Sequence, residues 1–138
     1  MKSAALQQGI FDRLTGVTGV TDKVVGIYTK VPQANDSGSD SGFPFITINA
    51  VTSQPMDTKT NDGQNTLTYI HIWSRSTSAL TWRAIADSVY TALQKYDDLS
   101  VTGANIIDCR FDSSTEFADP DEKTTHTVLT FRVTYFDI

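Results

Sequence analysis

The chain has 138 residues, 39% of them hydrophobic and 20% charged, which supplies one modest core and is too apolar for a disordered acidic tail. Eleven basic and sixteen acidic residues give a net charge of −5, and the single cysteine, Cys109, excludes an internal disulfide and a cysteine-rich metal site. No apolar run is long enough to span a bilayer, and Met1-Lys2-Ser3-Ala4-Ala5 does not read as a secretory signal, so a soluble domain of a reducing compartment is predicted.

Leu6, Ile10 and Leu14 recur at i, i+4 and i+8 with Phe11 beside them, which predicts a short helix over 3–14 with Ser3 as its N-cap. Gly16-Val17-Thr18-Gly19 should end it, and Val24-Val25-Gly26-Ile27-Tyr28 reads as a short strand. The small polar run from Gln33 to Gly42 has no apolar side chain to offset its ordering entropy, so it reads as a mobile loop. Strands are predicted over 43–51 and 65–73. In the second, Leu67, Tyr69, His71 and Trp73 alternate with Thr66, Thr68, Ile70 and Ile72. Between them, residues 53–64 carry Asn61-Asp62-Gly63, a turn signal, and Thr58, Lys59 and Thr60 are expected to continue the strands outward as a long hairpin arm.

A second helix follows. Ser78 (or Ser76) can cap it, Trp82, Ile85, Ala86, Val89 and Leu93 form its apolar stripe, and it should end near Tyr96. Two further strands are predicted over 106–111 and 125–136, and the chain's twenty threonines suit such half-exposed strand surfaces. The order α-β-β-β-α-β-β gives an α+β class. The expected architecture is a single domain over 1–138, a mainly antiparallel sheet with two helices packed on one face.

Charge is uneven. Between Asp97 and Glu122 stand eight acids, Asp97, Asp98, Asp108, Asp112, Glu116, Asp119, Asp121 and Glu122, against one base, Arg110. That field repels phosphates and argues against a nucleic-acid clamp built from this half.

Chemistry-bearing patterns are weak. His71 and His126 fall in or beside strands, where a half-buried structural histidine is commoner than a general base. Gly38-Ser39-Asp40-Ser41-Gly42 places an aspartate where a nucleophile elbow needs serine, and Asp36 and Asp40 are too few carboxylates for a calcium loop. Cys109 reads as an inward strand residue. No catalytic, cofactor or metal residues are assigned, and a binding or assembly role is favoured over an enzyme.

Several stretches, in order, carry a likeness. They are the N-terminal helix, Val25-Gly26-Ile27-Tyr28, Phe43-Pro44-Phe45-Ile46-Thr47-Ile48, Tyr69-Ile70-His71-Ile72-Trp73-Ser74, the helix from Ala84 to Leu93, and His126-Thr127-Val128-Leu129-Thr130-Phe131-Arg132-Val133. Together the chain resembles the tail-completion (tail-terminator, tail-to-head joining) proteins of long-tailed bacteriophages and gene-transfer particles. The resemblance implies a structural, non-enzymatic α+β subunit without cofactor, assembled in the host cytoplasm and located in the virion at the head-proximal end of the tail. There it would form a hexameric ring that halts tube polymerisation and meets the tail-tube protein and the head-tail connector. DNA would pass without specific binding, and no membrane is involved. Within that picture, Asp57, Thr58, Lys59, Thr60, Asn61 and Asp62 form the candidate assembly hairpin, reaching a neighbour or the tube. Asp119, Asp121 and Glu122 are candidates for an acidic bore surface that DNA does not adhere to. Another head-tail joining protein, a head-completion subunit or neck adaptor, is the alternative; a ligand-binding domain or hydrolase with a pocket near Trp73, Trp82 and His71 is a more distant one.

Overall fold

The computed structural model describes residues 2–29, 42–95, 99, 101–120 and 123–138. The polar run expected to be a mobile loop falls, but for Gly42, outside them, as do Asp97, Asp98, Asp121 and Glu122.

Helix α1 spans Ser3–Thr15 and buries Leu6, Ile10 and Leu14, the stripe that its spacing announces. Ser3 is its first helical residue rather than its cap. Lys2 precedes it, and the Lys2 N–H is instead taken by Tyr135 Oη at 3.1 Å. Gly16 closes the helix, its N–H shared between Asp12 O and Arg13 O. The chain then adds a helix that the sequence reading lacks, α2 over Thr18–Thr21, a single turn that buries Val20. Four residues cannot display a helical period, and burial of one valine fixes the turn.

Five strands form one sheet in the order β1-β2-β3-β5-β4: β1 Gly26–Tyr28, β2 Phe45–Pro55, β3 Gly63–Ser74, β4 Ala104–Ala118 and β5 Thr125–Asp137. Only the β1–β2 pair is parallel. Between β3 and β4 lies α3, Ala79–Leu93, capped by Ser78 Oγ, which accepts the Leu80 N–H at 3.3 Å. It ends at Leu93, short of Tyr96, where Gln94 turns extended and Lys95 takes a left-handed φ of 58°. No helix among the described residues is long and apolar enough to cross a membrane.

Alternation sorts the sheet into two faces. Ile46, Ile48, Ile70, Ile72, Leu129, Phe131, Val133 and Tyr135 share the face beneath the helices, where they meet Leu6, Ile10, Leu14, Ile85, Val89 and Leu93 in one buried cluster. Each such Leu, Ile or Val side chain withdrawn from water contributes about 1.5–3 kcal/mol. Cys109 joins this core, and burial, with the Asp108 charge adding to it, pushes its thiol up to about 12. The fold is thus α+β with its helices on one face, as expected, but with three helices rather than two.

Strand β4 runs well past its expected end at Phe111. Residues 112–118, outside both predicted strands, continue the strand to Ala118 opposite Thr125. Their side chains are exposed, so no buried alternation marks them; pairing with β5 supplies their structure. Register shifts between Ile106 and Asp108 and between Phe111 and Ser113 each accommodate an extra residue.

Candidate functional site

The sheet face turned from the helices carries aromatic and imidazole groups set side by side by strand register. Phe45 of β2 lies opposite Trp73 of β3, and Trp73 lies opposite His126 of β5. The Trp73 indole stacks on His126 at 3.8 Å between centroids and near-parallel to Phe45 at 6.1 Å. Trp73 Nε1 donates to Thr47 Oγ1 at 3.1 Å. Phe117 of β4 meets His126 edge-on, and the Arg75 guanidinium sits 4.3 Å from the Phe43 ring centre.

His71 and His126 form the polar heart of this cluster. His71 Nδ1 and His126 Nε2 are hydrogen-bonded, one ring donating and the other accepting, so the accepting imidazole is neutral in this arrangement. Burial, reinforced by the facing His126, lowers the His71 pKa from 6.5 to about 4, and burial lowers His126 as well. Neither is tuned toward neutrality as a general base would be. The pocket suggested around Trp73, Trp82 and His71 does not form, because Trp82 stands on α3, against the core on the opposite face.

The hairpin residues come together in one tight connection. Ladder pairing runs out to Pro55 and Gln64, and Met56 N–H still reaches Gly63 O at 2.8 Å. Thr58, Lys59 and Thr60 therefore do not continue the strands outward. They form a turn, with Thr58 N–H donating to Asn61 O at 2.9 Å and Asn61 N–H to Thr58 Oγ1 at 3.1 Å. Asp57 Oδ1 accepts the Gly63 N–H at 3.1 Å, and Asp62 O accepts the Asp137 N–H at 2.8 Å, which ties the tip to the end of β5. Gly63 is required by proximity: a Cβ there would lie 2.6 Å from Met56 O and 2.5 Å from the Phe136 ring. All six predicted hairpin residues are exposed.

Of the predicted bore acids, Asp119 is described. It follows β4 and donates its N–H to Thr124 O at 2.9 Å, at the end of the sheet opposite the hairpin tip. Twelve residue steps along β5 separate the two ends, about 40 Å at the usual strand rise. The acidic field between them is partly neutralised. Glu116 makes a bidentate pair with Arg83 of α3 at 3.0 and 3.1 Å, Asp108 meets Arg110 at 2.7 Å, and Asp112 meets Arg132 at 3.3 Å. Hydrogen bonding from Arg83 holds the Glu116 carboxyl below its ordinary range.

Among the described residues, no three His, Cys, Asp or Glu side chains gather in a metal-holding arrangement. An open groove of about 280 Å³ between α1, α2 and α3 is lined by Arg13, Asp87, Ser88 and Thr91, but Arg13 Nε donates to Ala92 O and Ser88 Oγ to Ala84 O. The sequence did not disclose the aromatic–imidazole cluster, since its members meet only through strand register.

Residues 8–135 match the family described as Tail completion protein gp17. The tail completion protein gp17 of Bacillus phage SPP1 is 26% identical over 134 residues, covering 97% of this chain and 94% of that protein. A chain in the solved virion of a native gene transfer agent particle superposes with a TM-score of 0.87 at 18% identity, covering 98% of this chain and 97% of that one, which shows a shared fold. With nearly every residue inside the match, this chain belongs to the tail completion protein gp17 family.

Proposed function

We propose that this protein forms a ring at the head-proximal end of a phage-type tail tube, where it terminates tube polymerisation and presents the docking face for the head connector. Membership of the tail completion family makes it a structural protein of a virion tail. The observation that carries the finer reading is the family match over 8–135, joined to a fold shared end to end with a virion chain. The whole chain, 1–138, acts as one tail-terminator-like domain and not as an enzyme, in keeping with the structural role of the family it belongs to. A ring of six closes when one heterologous contact repeats with a rotation of about 60°.

In this reading the exposed tip from Asp57 to Asp62 is the part that meets the tube. Asp119 faces the bore, where negative charge keeps DNA from adhering. The test is solution mass of the purified protein, alone and with its tail-tube protein, together with tail length in particles lacking the gene. The expected results are a six-fold mass, capture at tube ends and overlong or headless tails. Particles that mature normally without the gene would refute the proposal. Replacing Thr58–Asn61 by Asn-Gly should abolish tube capture and leave the subunit folded, and unchanged capture would remove the hairpin from the contact.

A further inference from the structure

The free edge of β4 is divided in two. Lys95 N–H donates to Cys109 O at 2.7 Å and Gln94 Oε1 accepts the Phe111 N–H at 2.6 Å, so the segment leaving α3 seals the outward groups of the strand's first half. Past the irregularity at Asp112 nothing equivalent occurs among the described residues. In an antiparallel ladder, successive residues alternate between bonding the neighbouring strand and facing away. Thr124 O accepts the Asp119 N–H, which marks the even-numbered residues at this end of β5 as those turned toward β4. Ser114, Glu116 and Ala118, opposite Leu129, Thr127 and Thr125, therefore turn their main-chain N–H and C=O outward. Among the described residues no partner reaches those groups.

An open edge of this kind is usually blunted by lysine, proline or inward-pointing charge. Residues 112–118 contain neither lysine nor proline, and their two carboxylates are already engaged, Asp112 by Arg132 and Glu116 by Arg83. Among the described residues, no main-chain partner reaches the other edge of the sheet either. Val25 donates its N–H inward to Pro44 O at 2.8 Å, and the same alternation turns Gly26 and Tyr28 of β1 outward. Each edge is flanked by an exposed apolar side chain, Val25 at 57% and Phe117 at 46%.

We infer that β4 of one copy pairs, through residues 114–118, with β1 of the next copy, so that the sheet runs on from subunit to subunit. This rests on the ring reading and names the contact that builds the ring. Pairing of β4 with β4 would close a dimer after a single contact and bring two Glu116 carboxylates together. Joining two different edges gives a contact that repeats. The two outward residues of β1 fit within the span of the three on β4. Pairing satisfies main-chain groups on both and covers Val25 and Phe117.

Ser114→Pro tests it, because proline at an outward-facing edge position removes no bond to β5. The expected result is wild-type mass at the ring value, and for the variant a monomer with unchanged far-UV circular dichroism. Amide hydrogen exchange on the wild type provides a second measurement that needs no variant. On assembly, Ser114, Glu116, Ala118, Gly26 and Tyr28 should slow by at least about tenfold, while Ser113 and Thr115, already bonded to β5, change little. A ring without that protection overturns the strand pairing and leaves the ring reading standing. A variant that still forms rings but no longer caps tube ends overturns it in favour of a strand from the tube. Wild-type protein that stays monomeric at all concentrations, with and without tube protein, overturns both.

Discussion

The His71–His126 pair makes stability depend on pH in a defined window. Unfolded, a histidine takes up its proton near 6.5; folded, His71 does so only near 4, because burial and the facing imidazole oppose the charge. Between those values the unfolded chain binds more protons than the folded one, so stability is complete above pH 6.5 and falls as the pH drops toward 4. From pH 7 to pH 5 the unscreened linkage is about 2 kcal/mol, and solvent screening of a half-exposed ring reduces it to about 1 kcal/mol. His71→Phe keeps an aromatic ring beside Trp73 and removes this titration. Urea denaturation of both proteins at pH 7, 6 and 5, at fixed protein concentration, is the assay. The wild type should lose about 1 kcal/mol more than the variant over that range. Ending at pH 5 keeps clear of the Glu116 carboxyl, which is held below its ordinary range and titrates at lower pH. Equal losses in the two proteins, or a wild type equally stable at pH 7 and 5, would refute the reasoning.

Phe131, 1% exposed and edge-on to Phe111 in the core, should cost about 3–5 kcal/mol when changed to Ala, read as a shift of the urea midpoint at constant slope. Gly63→Ala should destabilise by about 1–3 kcal/mol through the collision with Met56 O, with faster amide exchange at Met56; a neutral effect would mean that the tip shifts freely. The Cys109 thiol, buried and pushed up to about 12, should resist alkylation at pH 8 in the folded protein and react within minutes in denaturant, followed by intact mass.

Long, one-sided elements are legible in the sequence. The stripe Ile85, Val89 and Leu93 specifies α3, and the alternation of Leu129, Phe131, Val133 and Tyr135 specifies which face of β5 is covered. What escaped notice depends on register or on neighbours. His71 and His126 are 55 residues apart and meet only because β3 and β5 align Trp73 with His126. The outer half of β4 carries exposed hydroxyls and acids that look like turn residues, since an edge strand beyond the helical layer has no buried side to reveal it. Asn61-Asp62-Gly63 signals the β2–β3 connection, but the turn itself is Thr58–Asn61, Gly63 opens β3, and the need for glycine comes from Met56 and Phe136 closing over it. Arg83 stands on the exposed side of α3. Its bond to Glu116 across 33 residues, joining α3 to β4, could be seen only once the strand was known to continue.

The two indoles of this molecule stand on opposite sides of the sheet, Trp73 against His126 and Trp82 against the core. Imidazole in its cationic form quenches indole fluorescence far more than the neutral ring does. Emission from Trp73 consequently reports proton uptake and water exclusion on the face away from the helices, while Trp82 reports the helical layer. With Trp82→Phe in place, the protein carries an intrinsic optical gauge of whatever comes to lie across that surface.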